Sequence, residues 1–402
     1  MTAVGARAFS PGLVIGVCVL IAALEGYDVQ AFGVAAPHLA PELGLNASQV
    51  GLAGSMANFG LVLGALAGGW AADRWGRKPI LLASVLAFGL FSLATAYAQG
   101  AQALLAARFL TGIGFGGVMP NLVALAAEIA PPGRRAAVTG AMFCGMPGGG
   151  ALVSLLARMG GEHGDWRMLF LIGGGLPILI APLVIWALPE TRPEAQAHLD
   201  RSLTRALFAE GRLRPTLLLW SASLLTGLML HLLLNWLPIL VAAKGHTAAD
   251  GAAAALAFNV MGVVGALALG VAADRAGVRG TMVVAYLALG AAMWALGGAA
   301  GMGLILGTAA GAGFMLIGAL YVIYGLAPGI YPVQVCSAAA GVAVGVGRLG
   351  SIMGPLVAGQ LRQAGWSASH VLTALVPVAV LAGAAVVAMT FRVRLRESLE
   401  PV

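Results

Sequence analysis

The sequence predicts an all-α membrane protein, twelve transmembrane helices in two pseudo-symmetric six-helix bundles, and three observations carry that prediction. Hydrophobic residues make up 60% of the 402-residue chain and charged residues only 9%, against roughly a quarter charged in an ordinary soluble domain. No soluble surface can be built from so few charges. Apolar runs of about 20 residues, the length that crosses roughly 30 Å of hydrocarbon as helix, recur along the whole chain. A charged turn, G-x-x-x-D-R-x-G-R-K, stands at Gly69, Asp73, Arg74, Gly76, Arg77 and Lys78, and is echoed at Gly270, Asp274, Arg275, Gly277 and Arg279 with its aspartates 201 residues apart. Half the chain is therefore a duplicate of the other half.

The runs are continuously apolar rather than alternating, so they are helices and not barrel strands. The first, 11–36, follows Arg7 and resembles a secretory signal, but it holds Glu25 and Asp28 and is too long to be one. Runs 49–72 and 79–97 flank the first charged turn; 101–126 and 137–158 are parted by Arg134 and Arg135; 168–188 ends at Pro189, Glu190 and Thr191. Residues 189–215, rich in Arg, Glu and Ala, form the one long connection, dividing a first bundle (1–188) from a second (216–402). There 216–241 leads, 252–273 and 281–299 flank the echo, 302–326 and 338–361 are joined through GIYPVQVCS, and 369–391 precedes Arg392, Arg394 and Arg396.

Sixteen basic residues fall in segments on the side of the N-terminus, and four, Arg158, Arg167, Lys244 and Arg362, on the other. This positive-inside bias puts both termini in the cytoplasm of a multi-pass, bacterial-type inner-membrane protein. The net charge of +7 thus reports orientation, with anionic lipid headgroups as its partner rather than nucleic acid. Cys18, Cys144 and Cys336 lie in or beside apolar runs with no CxxC pairing, as inert packing thiols. No metal cluster, phosphate loop or nucleophile triad is visible, so no enzyme activity and no cofactor are expected. The 59 glycines are about twice average usage, and rows such as Gly64, Gly68 and Gly341, Gly345 suit close helix packing.

Polar residues inside the runs mark function, because an intramembrane charge is costly and faces the bundle interior. Glu25 and Asp28 are one turn apart on the first span, with Phe32 at the next turn. A carboxylate that exchanges its proton with either side is what proton coupling requires. Arg348 is the one cation well inside the eleventh span, and its planar fork suits a carboxylate, either Glu25 or Asp28 or that of a substrate. Arg108 lies in the fourth span with Thr111 on its face. His231 and Asn235 at i, i+4, Trp236 beside them, and Tyr321 and Tyr324 one turn apart supply flat apolar walls with hydrogen-bonding tips for a phenolic ring.

The repeated turn, the twelve spans and the central loop resemble the major facilitator superfamily of secondary transporters over the whole chain. Arg108 and Gly112 in RFLTGIGFGG are similar to its fourth-helix motif, Gly145, Pro147, Gly148 and Gly149 to its fifth-helix Gly/Pro motif, and Pro189, Glu190 and Thr191 to its end of helix six. The resemblance implies a cytoplasmic gate built on Gly69, Asp73, Arg74, Gly76, Arg77 and Lys78, with Arg108, Asp274 and Arg275, whose contacts change during alternating access.

A narrower resemblance joins Glu25 to Gln30 to the D-G-x-D segment of the aromatic acid:proton symporters, with Glu replacing the first Asp. Together with Pro120-Asn121-Leu122, LLNWLP from Leu233, Tyr324 to Pro328 and VGVGRLGSIMGP from Val344, it is most similar to the branch carrying 3-(3-hydroxyphenyl)propionate. Gln334 and Cys336 stand where such transporters commonly carry an arginine. The implied function is uptake of an aromatic carboxylic acid by a monomer, with the proton as coupling ion. In the expected mechanism a proton neutralises Asp28, Glu25 tunes it, and Arg348 captures the acid. A proton-coupled exporter shares the fold and is the alternative.

Overall fold

The computed structural model describes residues 11–129, 135–188, 207–208, 211–326, 330–331 and 333–397. Twelve helices among them are long and apolar enough to cross a membrane. In the first half these are α1 (Pro11–Glu42), α2 (Ala47–Trp75), α3 (Arg77–Ala96), α4 (Ala101–Ile129), α5 (Arg135–Gly160) and α6 (Trp166–Ala187). The second half holds α7 (Leu213–Ala242), α8 (Ala248–Ala276), α9 (Val278–Gly298), α10 (Met302–Tyr324) and α11 (Val333–Gln363). A six-residue helix, Ala368–Thr373, then runs into α12 (Leu375–Glu397). Exposed leucines such as Leu66, Leu179 and Leu287 cover the outside of the bundle, where a soluble protein would carry polar groups. The basic turns Arg74–Lys78 and Arg275–Arg279 lie at one end, here the basic face; the other end is the opposite face.

The helix ends repeat at the 201-residue spacing. Asn46 and Thr247 each close a capping box, with Gln49 and Asp250 respectively, satisfying two otherwise orphaned backbone donors. Gly76 (φ 95°) and Gly277 (φ 86°) make the turns into α3 and α9, a backbone conformation that a side chain strains. The first helix runs six residues past its expected end at residue 36, with Pro37 and Pro41 inside it. Its stop is set instead by Gly44 (φ 63°), where Leu45 N–H reaches Ala40 O at 2.9 Å and Gly44 N–H reaches Pro41 O at 3.2 Å, a Schellman end. Beyond it, Glu42 accepts from Trp166 Nε1 and pairs with Arg167, both at 2.6 Å, tying α1 to the start of α6.

Packing repeats as well. A Cβ on Gly149 would overlap the Ala23 carbonyl, and one on Gly350 the Leu224 carbonyl, so α1–α5 and α7–α11 meet backbone to backbone at equivalent points. Gly112 against Ala57 in α2–α4 is matched by Gly313 against Phe258 in α8–α10. Such contacts maximise dispersion where lipid offers no hydrophobic drive for helix association.

The halves meet along α2–α11 and α5–α8, with α1 and α7 between them. Near the opposite face this seam is tight. Gln360 Nε2 donates to Ser48 Oγ at 2.9 Å, and a Cβ on Gly51 would lie 2.6 Å from Pro355 O and 2.9 Å from Gly359 Cα. One step deeper, Ser55 Oγ donates to Ile352 O at 2.6 Å. Toward the basic face, Tyr321 OH donates to Phe143 O at 2.9 Å, linking α10 to α5.

Candidate functional site

Between these two closures the seam opens into a cavity of about 80 Å³, walled by α1, α5, α7, α8, α10 and α11. Its walls are apolar apart from His231, Asn259, Tyr321, Tyr324 and Arg348. Gly26 brings α1 against Met146 O of α5, and Gly227 brings α7 against Gly347 O of α11. These close approaches set the two sides of the cavity at its middle.

Arg348 stands at the midpoint of α11, half-buried, on the cavity wall. Among the described residues no hydrogen bond or ion pair engages its guanidinium. It shares that wall with His231, Tyr321 and Tyr324. A half-buried cation on a largely apolar wall suits an anion, since Coulomb attraction is less screened there than in bulk water.

Glu25 is fully buried, and among the described residues neither of its carboxylate oxygens has a hydrogen-bond partner. An ionised carboxylate in that state is among the costliest groups a protein can hold, whereas a neutral carboxyl is tolerable. Asp28, one turn away, has the opposite surroundings. Arg108 Nη1 of α4 pairs with its Oδ2 at 2.7 Å, and Ser92 Oγ–H of α3 donates to its Oδ1. The Arg108 guanidinium lies over the rings of Phe32 (5.5 Å) and Phe170 (5.9 Å).

Four expectations change with this geometry. Glu25 and Asp28 do not share one environment, because Asp28 points into the first bundle between α3 and α4. Asp28 is not the partner of Arg348, since Arg108 already holds it. Phe32, expected against substrate, packs on Arg108, and Arg108, expected at the gate, sits in a buried pair within one half.

His231, Tyr321 and Tyr324 line the cavity as expected from their faces. The two tyrosine rings are 6.5 Å apart, and Tyr321 lies 5.9 Å from Phe143. Asn235 and Trp236 do not line it. Asn235 Nδ2 donates to His231 O at 2.8 Å while its Oδ1 faces Gly54 of α2, and Trp236 Nε1 donates to Pro355 O at 3.1 Å. Both sit one turn nearer the opposite face, where the seam has already closed.

At the basic turns, Gly76 N–H closes on Ala72 O at 2.9 Å and Arg74 lies 5.9 Å over Trp70. Asp274 and Arg275 are exposed and form no ion pair among the described residues. The side chains of Asp73, Gln334 and Cys336, and the Pro189–Thr191 end of helix six, lie outside what is described.

Two groups that the sequence reading passed over join the halves beside the cavity. Gln30 Nε2 donates to Leu234 O at 2.9 Å, and Asn259 Nδ2 donates to Gln30 Oε1 at 3.0 Å. The signal was available, since each is a polar side chain in mid-span. Ser92 had the same signal and was likewise missed.

Comparison with known proteins gives a match to the Major Facilitator Superfamily over residues 18–335. The 3-(3-hydroxy-phenyl)propionate transporter of Escherichia coli K12 is 38% identical over 97% of this chain and 96% of that protein. A 4-hydroxybenzoate transporter of Pseudomonas aeruginosa is 34% identical over 93% and 91%. Among solved structures, a bacterial homologue of the lysosomal transporter Spinster, inward-facing and occupied, superposes with a TM-score of 0.79 at 17% identity, over 99% of this chain and 100% of that one. The D-xylose–proton symporter superposes at 0.74 and 18% identity, over 94% and 96%. At such identities the structures speak to the fold alone.

Proposed function

This chain belongs to the major facilitator superfamily, and from that premise we propose that it takes up an aromatic carboxylic acid together with a proton by alternating access. The observation that carries the reading is the unpaired Arg348 guanidinium on the wall of an apolar, ring-sized cavity midway through the seam. The acid's carboxylate pairs with Arg348 as a fork, and the ring lies among Phe143, Tyr321 and the aliphatic walls. Its relatives' substrates, 3-(3-hydroxy-phenyl)propionate and 4-hydroxybenzoate, have this chemistry.

Glu25, rather than Asp28, carries the coupled proton in this mechanism. Among the described residues its carboxylate has no hydrogen-bond partner to release, whereas Asp28 is occupied by Arg108 and Ser92. When the acid neutralises Arg348, a proton on Glu25 leaves the site without net charge, and the halves can rock without dragging an unpaired ion through hydrocarbon. The biased distribution of basic residues supports an inner-membrane orientation with the basic face in the cytoplasm, so uptake runs from the opposite face to the basic one.

Uptake of labelled 3-(3-hydroxyphenyl)propionate into proteoliposomes under an imposed pH gradient tests this. Accumulation should require the gradient and collapse with a protonophore. Efflux of the acid against a proton influx would identify an exporter instead, and failure to move any aromatic acid would end the reading.

A further inference from the structure

We propose that His231 reads the ring hydroxyl of the transported acid, accepting its hydrogen bond at Nε2, so that the cavity selects hydroxylated aromatic acids over their unhydroxylated analogues. This rests on the aromatic-acid reading above and adds a specificity determinant to it.

The ring's proton is assigned by its backbone contact. His231 Nδ1 lies 3.0 Å from Gly227 O, one turn back on α7. A carbonyl oxygen only accepts, so Nδ1 bears the hydrogen, and the neutral ring offers Nε2 to the cavity as a lone-pair acceptor. No protein donor among the described residues reaches Nε2.

The other polar tips of the cavity have different duties. Arg348 only donates. The Asn259 amide already donates to Gln30 Oε1 and to Ala255 O at 2.9 Å, and the Tyr321 hydroxyl donates to Phe143 O. The Tyr324 hydroxyl rotates to give or accept as needed. His231 Nε2 is thus a fixed acceptor with no donating alternative, set between Leu230 and Leu234 on the wall. A ligand presenting C–H there leaves a buried acceptor unpaired, a cost of about 1–3 kcal/mol, while an O–H satisfies it. Carboxylate on Arg348 and hydroxyl on His231 would then both be held by side chains of the same cavity wall.

The test is equilibrium binding of three acids to the purified full chain: 3-(3-hydroxyphenyl)propionate, 3-phenylpropionate and 3-(3-methoxyphenyl)propionate. Wild type should prefer the hydroxy acid roughly 10-fold over both analogues, because the methoxy group keeps the oxygen but has no hydrogen to donate. His231→Leu should bind all three alike, near the wild-type affinity for 3-phenylpropionate, and His231→Gln, whose amide oxygen accepts, should regain part of the preference. Equal wild-type affinity for the three acids overturns the proposal, as does an unchanged preference in His231→Leu. Should either variant fail to fold, the wild-type series alone decides. Arg348→Ala separates the two readings, since it should weaken all three acids together. If wild type binds none of them, the aromatic-acid reading falls and this proposal with it; if it binds them equally, this proposal alone falls.

Discussion

The two halves share a scaffold down to individual backbone contacts, yet their interiors carry opposite chemistry. Moving 201 residues along the chain turns Glu25, Asp28, Ser92 and Arg108 into Thr226, Met229, Met293 and Ala309. The first bundle thus buries an ion pair with its hydroxyl partner, and the second fills the same place with apolar side chains. Thr226 is satisfied by Tyr286 OH at 2.5 Å, whereas Glu25, its equivalent, has no hydrogen-bond partner among the described residues. Conversely Arg348 answers to Pro147 in the first half, and both line the cavity. One half locks its charge inside itself and leaves a lone acid; the other shows a lone cation to the seam. Duplication accounts for the shared frame, and divergence for the asymmetry on which the proposed binding of an anion and a proton rests.

Breaking the buried pair should have the largest effect. Arg108→Ala strands Asp28 without a counter-ion and should cost about 3–5 kcal/mol, read as a large drop in unfolding temperature in detergent. Asp28→Asn with Arg108→Gln removes both charges and should lose much less, as befits a site whose twin is apolar. A double variant as unstable as the single would refute the contrast. Arg348→Ala should do the reverse. It makes no pair to lose, so stability should hold, while affinity for the acid falls by about 1.5–3 kcal/mol, roughly ten- to a hundred-fold. Measured binding beside an unfolding curve checks both. The smallest effect tests the shared frame: Gly76→Ala and Gly277→Ala should each destabilise by about 1 kcal/mol, and by similar amounts, because both turns need positive φ. A clear inequality would mean that the two turns bear different loads.

The spans, the duplication and the mid-membrane polar residues were legible because hydrophobic length and charge cost act locally along the chain. Arg348, His231, Tyr321 and Tyr324 were found that way and meet at one cavity. Spacing could not say which helix faces which. Asp28 and Phe32 lie on the face that meets Arg108, 80 residues away, and only assembly of α1 on α3 and α4 makes that pairing. Periodicity likewise gave the face of Asn235 and Trp236 but not the height at which the seam closes. The apolar run ends at residue 36, whereas α1 continues through Pro37 and Pro41 to the glycine at 44.

The central claim is that Glu25, and not the ion-paired Asp28, moves the proton. Acid-driven proton movement, followed with a pH-sensitive dye trapped in proteoliposomes, tests it in wild type, in Glu25→Gln and in Asp28→Asn with Arg108→Gln. The account predicts coupled proton movement in wild type and in the double variant, and none in Glu25→Gln, which should still exchange the acid across the membrane. Proton movement that survives in Glu25→Gln, or that vanishes in the double variant while acid exchange persists, would contradict it.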